Sequence, residues 1–205
     1  MKKIFCAFLL FIVSFQASAT TIVVLGDSIS AGYGIDVEKG WVNLLDQKLQ
    51  GMDDYTVINA SVSGDTTGAG LARLPALLKK HQPEVVIIEL GGNDGLQGFP
   101  IRIMKNNIAT MVELAQQSGA KVLLLGMRIP PNYGDRYTET FYQAFQQIAA
   151  DKSVALMPFF LDSVAIHKEY MQDDGIHPRA NAQTMLLDDM WPYLAPLIGL
   201  DKTQN

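Results

Sequence analysis

Four short stretches of the chain carry side chains that do acyl chemistry. Ser28 stands in Gly26-Asp27-Ser28-Ile29-Ser30, directly after the apolar run Thr20 to Leu25. A serine hydroxyl is a weak nucleophile until a neighbouring base takes its proton. Of the three histidines, His81, His167 and His177, only His177 has a suitable orienter, in Asp173-Asp174-Gly175-Ile176-His177-Pro178. An aspartate three residues before a histidine in a turn can reach the imidazole, fix its tautomer and leave the other ring nitrogen for serine. Acyl transfer also needs donors for a developing oxyanion. The Gly64 N–H, the Asn93 side-chain amide and the Ser28 N–H are the candidates. Read singly, Gly64 is a turn residue and Asn93 an Asx-turn or helix-entry residue. Taken with Ser28 and Asp174-x-x-His177, the functional reading is the better one. His81 and His167 read as structural, the first at a helix C-terminus where its charge suits the dipole. Asp27 reads as holding the Ser28 loop, Asp94 as ordering the Asn93 loop, and Glu89 as a paired structural carboxylate.

The elements that must position these groups alternate in type. Apolar runs predict strands over 20–25, 55–59, 84–90, 121–125 and 154–157. Helical spacing predicts helices over 38–50, 66–80, 100–118 and 137–151, a brief one near 161–167, and a last one over 179–191. Pro75 is expected to start or kink its helix, and Pro192 and Pro196 to break or kink the last one. The central strands are continuous apolar runs, as expected where both faces of a sheet are covered. This pattern is that of a three-layer α/β fold with a mainly parallel sheet. In such a sheet the loops after each strand open on one edge. Ser28, Gly64 and Asn93 follow strands one, two and three, and the His177 loop can return to the same edge.

Composition narrows the function classes. Lys2 and Lys3, the apolar segment Ile4 to Phe15 and Ala17-Ser18-Ala19 form a secretory signal peptide, with cleavage expected after Ala19. The apolar segment is shorter than the roughly 20 residues of a spanning helix, so an anchor is the lesser alternative. Residues 20–205 then form a single domain. Cys6 is the only cysteine and leaves with the signal, which excludes disulfides, thiolate catalysis and cysteine metal sites. Loss of Lys2 and Lys3 takes the formal net charge from −5 to −7. An acidic surface argues against nucleic acid or an anionic membrane as partner. No later segment is apolar enough to insert stably in a membrane, and a monomer is expected. No G-x-S-x-G elbow, phosphate-binding P-loop or H-E-x-x-H motif is present, and the histidines are too scattered for a metal cage.

Gly26-Asp27-Ser28, Gly64, Gly91-Gly92-Asn93-Asp94 and Asp174-Gly175-Ile176-His177-Pro178 resemble, in order, the four blocks of the SGNH (GDSL) hydrolase family. Ile29 stands where the family has Leu. The stretches 70–79 and 89–96 are similar to the bacterial periplasmic branch with thioesterase, protease and lysophospholipase activities. The resemblance implies a flavodoxin-like five-stranded sheet of order 2-1-3-4-5. It implies Ser28 as nucleophile, His177 as base, Asp174 as its orienter, and Ser28, Gly64 and Asn93 as the oxyanion hole. Acyl esters, thioesters and lysophospholipids are the implied substrates, with no cofactor or metal. It also implies acyl-chain contacts along 94–99, here Leu96 and Phe99, with Ile176 beside the histidine. Two other readings stand: a carbohydrate O-deacetylase with the same triad, and a non-catalytic periplasmic lipid-binding protein.

Overall fold

The structure is a computed structural model that describes residues 19–52 and 54–200. The expected signal segment up to Ser18, with Cys6, lies outside the described residues. Among those described, no helix is long and apolar enough to cross a membrane.

Five parallel strands form one sheet: β1 (Thr20–Gly26), β2 (Tyr55–Asn59), β3 (Val85–Glu89), β4 (Lys121–Leu125) and β5 (Ala155–Met157). Their order is β2-β1-β3-β4-β5, as the family resemblance implies. The register pairs Ile22 with both Val57 and Val85, and Val85 in turn with Lys121. Alternate residues of each strand face opposite cores. Ile22, Val24, Val85, Ile87, Leu123 and Leu125 pack under α2 (Trp41–Gln50) and α7 (Gln183–Leu194). Leu25, Val86, Ile88, Val122 and Leu124 pack under α3 (Thr67–His81), α5 (Ile101–Gln117) and α6 (Asp135–Lys152). Both faces are therefore buried, which is why the strands read as unbroken apolar runs. Each fully buried Leu, Ile or Val contributes on the order of 1.5–3 kcal/mol.

Several boundaries differ from expectation. The helix expected from Glu38 begins at Trp41, after a 3-10 turn over Val37–Lys39. Gly40 precedes it without a side-chain cap, and the Trp41 N–H donates instead to Gln183 Oε1 in α7, at 3.0 Å. Pro75 lies inside a continuous α3, and Pro192 inside α7. Both prolines are on exposed faces, where water can reach the backbone carbonyl that proline leaves unpaired. The expected helix near 161–167 is a series of turns; a single i→i+4 bond forms there, from Ala165 N to Leu161 O at 2.8 Å. Two loops contain short helices that their polar, glycine-rich composition hides: α1 (Ser28–Ala31) and α4 (Gly92–Leu96).

The end of β1 rests on a buried acid. Glu89, at the end of β3, is 0% exposed and pairs in register with Gly26. Its Oε2 accepts from Ser30 Oγ at 2.6 Å and from Asp27 N at 3.2 Å. Its Oε1 is buried with no partner among the described residues. A Cβ on residue 26 would lie 2.7 Å from Glu89 Oε2 and from Ser30 Oγ, so only glycine lets the strand end close over this carboxyl. Burial, and then the charge of Asp27, hold the Glu89 carboxyl well above its ordinary 4.5, against the lowering effect of its hydrogen bonds. The folded state thus keeps a proton that the unfolded chain loses. The stability linked to that proton is complete below the unfolded value and is lost as pH rises toward the folded one. The neutral variant Glu89→Gln removes this loss. In thermal unfolding, its stability relative to the parent is expected to improve as pH rises above the ordinary carboxylate range, by up to about 1.4 kcal/mol per pH unit. A difference that does not vary with pH would mean that Glu89 is ionised in the fold.

Candidate active site

Parallel strands bring residues far apart in sequence to one edge. Ser28 opens α1 two residues past the end of β1, Gly64 lies in the β2–α3 loop, Asn93 in α4 after β3, and Asp174 and His177 in the segment between β5 and α7. There His177 Nε2 lies 2.8 Å from Ser28 Oγ, and His177 Nδ1 lies 2.7 Å from Asp174 Oδ2. With Nδ1–H donating to the carboxylate, Nε2 is the nitrogen left to accept from the serine hydroxyl. Asp174 is itself held: its Oδ1 accepts from Ile176 N at 2.9 Å and from His177 N at 3.0 Å. Burial works against its charge, but the bonds from the His177 ring and from the His177 and Ile176 backbone outweigh it and bring the carboxyl down to about 2. The Tyr33 ring packs on the imidazole with centroids 4.6 Å apart.

Asp27 has a different environment and a different job. It is 3% exposed, and its Oδ1 caps α1 by accepting from Ile29 N at 3.1 Å. Its Oδ2 accepts from Asn93 Nδ2, also at 3.1 Å. Burial raises its pKa to about 6, against the lowering effects of the Ile29 bond, the His177 charge and the Ser28 hydroxyl. Two aspartates near one histidine are thus pushed in opposite directions. Asp174 keeps its charge beside the imidazole through backbone donors, while Asp27 is buried beneath the serine. Asp94 faces away from the chemistry: it accepts from Thr67 N at 2.8 Å and Thr67 Oγ1 at 2.5 Å, which ties α4 to the start of α3.

The three expected oxyanion donors border one cavity of about 340 Å³ together with His177. Among the described residues, neither Ser28 N nor Gly64 N donates to a protein acceptor. Gly64 has open space where a side chain would stand. Asn93 is less free than its sequence context suggests. Its Nδ2 donates to Asp65 O at 2.9 Å as well as to Asp27 Oδ2, so both amide hydrogens are engaged. Asp65 is in turn held by Arg73 of α3, at 2.5 Å.

A second cavity, about 370 Å³ and mostly apolar, adjoins the first. Ile29, Gly92, Leu96 and Ile176 line both. The structure therefore brings Leu96 and Ile176 to the site, as expected. Phe99 lines neither cavity. Gly98 turns the chain after α4, the Phe99 carbonyl accepts from Tyr137 Oη at 2.9 Å, and Phe99 is 39% exposed outside both cavities. Reading the sequence missed the deeper walls, Met127 to Pro131 after β4 and Phe159 to Leu161 after β5. Their signal was topological: both segments follow strands whose loops open on the same edge. Tyr33 and Gln172 were missed too, because neither stands in a motif. Among the described residues, no three His, Cys, Asp or Glu side chains converge as a metal cage.

Residues 24–184 match the model of the GDSL-like lipase/acylhydrolase family. The chain is 52% identical over 184 residues to the esterase TesA of Pseudomonas aeruginosa, covering 89% of this chain and 92% of that one. It is 44% identical over 194 residues to the thioesterase 1/protease 1/lysophospholipase L1 of Escherichia coli, covering 95% of this chain and 92% of that one. The crystal structure of a psychrotrophic esterase, EstA from Pseudoalteromonas sp., inhibited by monoethylphosphonate, superposes with a TM-score of 0.84 at 42% identity, over 88% of this chain and 99% of that one. The family match over most of the chain and the identity to these relatives show that this chain belongs to the GDSL-like lipase/acylhydrolase family.

Proposed function

We propose that the protein is a serine hydrolase of acyl esters and thioesters, with Ser28 as nucleophile, His177 as general base and Asp174 as the group that orients it. The observation that carries this reading is the continuous chain Ser28 Oγ–His177 Nε2 at 2.8 Å and His177 Nδ1–Asp174 Oδ2 at 2.7 Å, on the border of a cavity with two unpaired backbone donors. Ser28 Oγ attacks the acyl carbon as its proton passes to His177 Nε2. The negative charge that collects on the carbonyl oxygen faces Ser28 N, Gly64 N and Asn93 Nδ2, the last drawn from its longer bond to Asp27. His177 then protonates the departing alcohol or thiol, leaving the acyl group on Ser28. Water gives a proton to His177 as it attacks the acyl-serine, and His177 passes that proton to Ser28 Oγ as the acid departs, which restores the resting site. None of these steps calls for a metal or an organic cofactor.

The apolar cavity of about 370 Å³ beside Ser28 supports an acyl chain, lying against Leu96, Ile176 and Ile129, as the part of the substrate it holds. Fatty acyl thioesters, aryl or alkyl esters and lysophospholipids fit this description, and the names of the two relatives point the same way. We place the protein in the periplasm or outside the cell, on the strength of Lys2, Lys3, the apolar segment after them and Ala17-Ser18-Ala19.

A fluorophosphonate probe is expected to label Ser28 of the folded protein and no other residue. Ser28→Ala should abolish labelling and lower turnover at least about 10³-fold with an unchanged circular dichroism spectrum, and His177→Ala should do nearly the same. An unlabelled but folded parent protein would make it a lipid binder rather than an enzyme. Removing the Asn93 amide with Asn93→Ala should cost about 10²–10³ in kcat with little change in KM; a change confined to KM would take Asn93 out of the oxyanion site. Across p-nitrophenyl esters, kcat/KM is expected to climb from acetyl to medium-chain acyl groups, since each buried methylene contributes about 0.8 kcal/mol. A profile that peaks at acetyl would favour an O-deacetylase.

A further inference from the structure

Beyond the Ser–His–Asp chain, we infer that Gln172 is a positioning residue: its side-chain amide ties the turn behind the nucleophile to the hairpin that carries the base, and so sets the distance between Ser28 and His177. The inference rests on the reading of Ser28 and His177 given above.

The base hangs on a narrow hairpin. Met171 and Pro178 form an isolated antiparallel bridge, and Asp174 and His177 lie between them. Gln172 N donates across this hairpin to His177 O at 2.8 Å, and Gly175 N donates back to Gln172 O at 2.9 Å. The Gln172 side chain then reaches out of the hairpin. Its Nε2 donates to Tyr33 O at 2.8 Å and to Pro178 O at 3.3 Å. Tyr33 is bound to the nucleophile by its own backbone, since Tyr33 N donates to Ser28 O at 3.0 Å. A closed circuit results. It runs from Ser28 through Tyr33 and Gln172 to His177, and returns to Ser28 through the catalytic hydrogen bond.

This link has no duplicate. Among the described residues, the Gln172–Tyr33 bond is the only hydrogen bond between residues 27–40 and residues 170–179 other than Ser28–His177 itself. The Tyr33 ring also packs on the His177 ring, with centroids 4.6 Å apart, but makes no hydrogen bond to it. The chemistry of the linker is specific as well. It has to serve two carbonyl oxygens with one group, and a primary amide nitrogen has two hydrogens to give. A carboxylate in the same place would set oxygen against oxygen, and asparagine is one methylene too short to span the gap. The partner loop is shaped for it. Gly34, beside the accepting carbonyl, has φ 73°, and a Cβ there would collide with the Gln172 amide.

A weak neutral bond of this kind adds little to global stability. Its effect is on geometry, where a misplacement of about 1 Å can cost about 10²-fold in rate. The test compares Gln172→Glu, Gln172→Asn and Gln172→Ala with the parent full-length protein. Thermal unfolding checks the fold, steady-state kinetics on a short-chain p-nitrophenyl ester separate kcat from KM, and the second-order rate of fluorophosphonate labelling reads the reactivity of Ser28 directly. All three variants are expected to melt close to the parent and to keep KM within about threefold, while kcat and the labelling rate fall together by about 10- to 10²-fold. Gln172→Asn should group with Gln172→Ala, because reach and not polarity is what it lacks. Gly34→Ala, which displaces the amide without touching it, should show the same paired loss, and it decides the matter if the Gln172 variants do not fold. Folded variants with parental kcat and labelling rate would overturn the inference, as would a loss confined to KM. If the folded parent itself does not label, the reading of Ser28 as nucleophile falls, and Gln172 with it.

Discussion

Every group at the site hangs from one edge of one parallel sheet. Because β1, β2, β3 and β4 run the same way, the loop after each of them opens at the same end, and helices on both faces close the other directions. The sheet buys this convergence with a requirement: both faces must be apolar and both must be covered. Ile22 through Leu25 and Val85 through Ile88 meet it without interruption, all at 0% exposure. The polar machinery is thereby confined to the strand ends. Where a polar group does enter the interior, as Glu89 does, it is there to hold a strand end and carries its proton with it.

The electrostatics of the site follow from how far each carboxyl stands from water. Asp174 lies in an open hairpin and is charged because two backbone N–H groups and an imidazole donate to it. Asp27 lies under α1, largely removed from solvent, and its pKa climbs toward neutrality although Ile29 N and Asn93 Nδ2 donate to it. The same residue type therefore does two jobs within reach of one histidine. The accessible one orients the base, and the buried one holds the nucleophile's turn and the asparagine. Beneath both, Glu89 bonds Ser30 and the Asp27 backbone, so the turn that presents Ser28 is supported from the sheet below as well as from the loops around it.

The strands were legible because apolar and β-branched runs mark them; β1, β3 and β4 are buried almost throughout, while β2, at the sheet edge, is only partly covered. Tyr55–Asn59 and Lys121–Leu125 begin and end where the apolar pattern does. The helices were legible in existence and less so at their ends, since the Trp41 N–H that opens α2 is served by Gln183 from α7, a partner 142 residues away. Pro75 and Pro192 neither begin nor end their helices, for a local reason. A proline's cost depends on whether the carbonyl it leaves unpaired meets water or protein, and both lie on exposed faces. The turns over 161–167 go the other way: apolar spacing suits a helix but the chain takes only short turns between β5 and the base hairpin.

Local patterns along the chain encode the alternation of apolar strands with amphipathic helices, and which residue types stand at the strand ends. Those are local properties: hydrophobic period, glycine at a turn, aspartate three residues before histidine. They were enough to name Ser28, Gly64, Asn93, Asp174 and His177 as one set. Only the tertiary structure decided distances and partners. It placed His177 Nε2 at 2.8 Å from Ser28 Oγ, engaged both hydrogens of Asn93, left Phe99 outside both cavities, built an apolar cavity from the loops after β4 and β5, and joined Gln172 to Tyr33. These are contacts between segments up to 149 residues apart. No local pattern encodes them, because each depends on how the loops pack once the sheet has brought them to one edge.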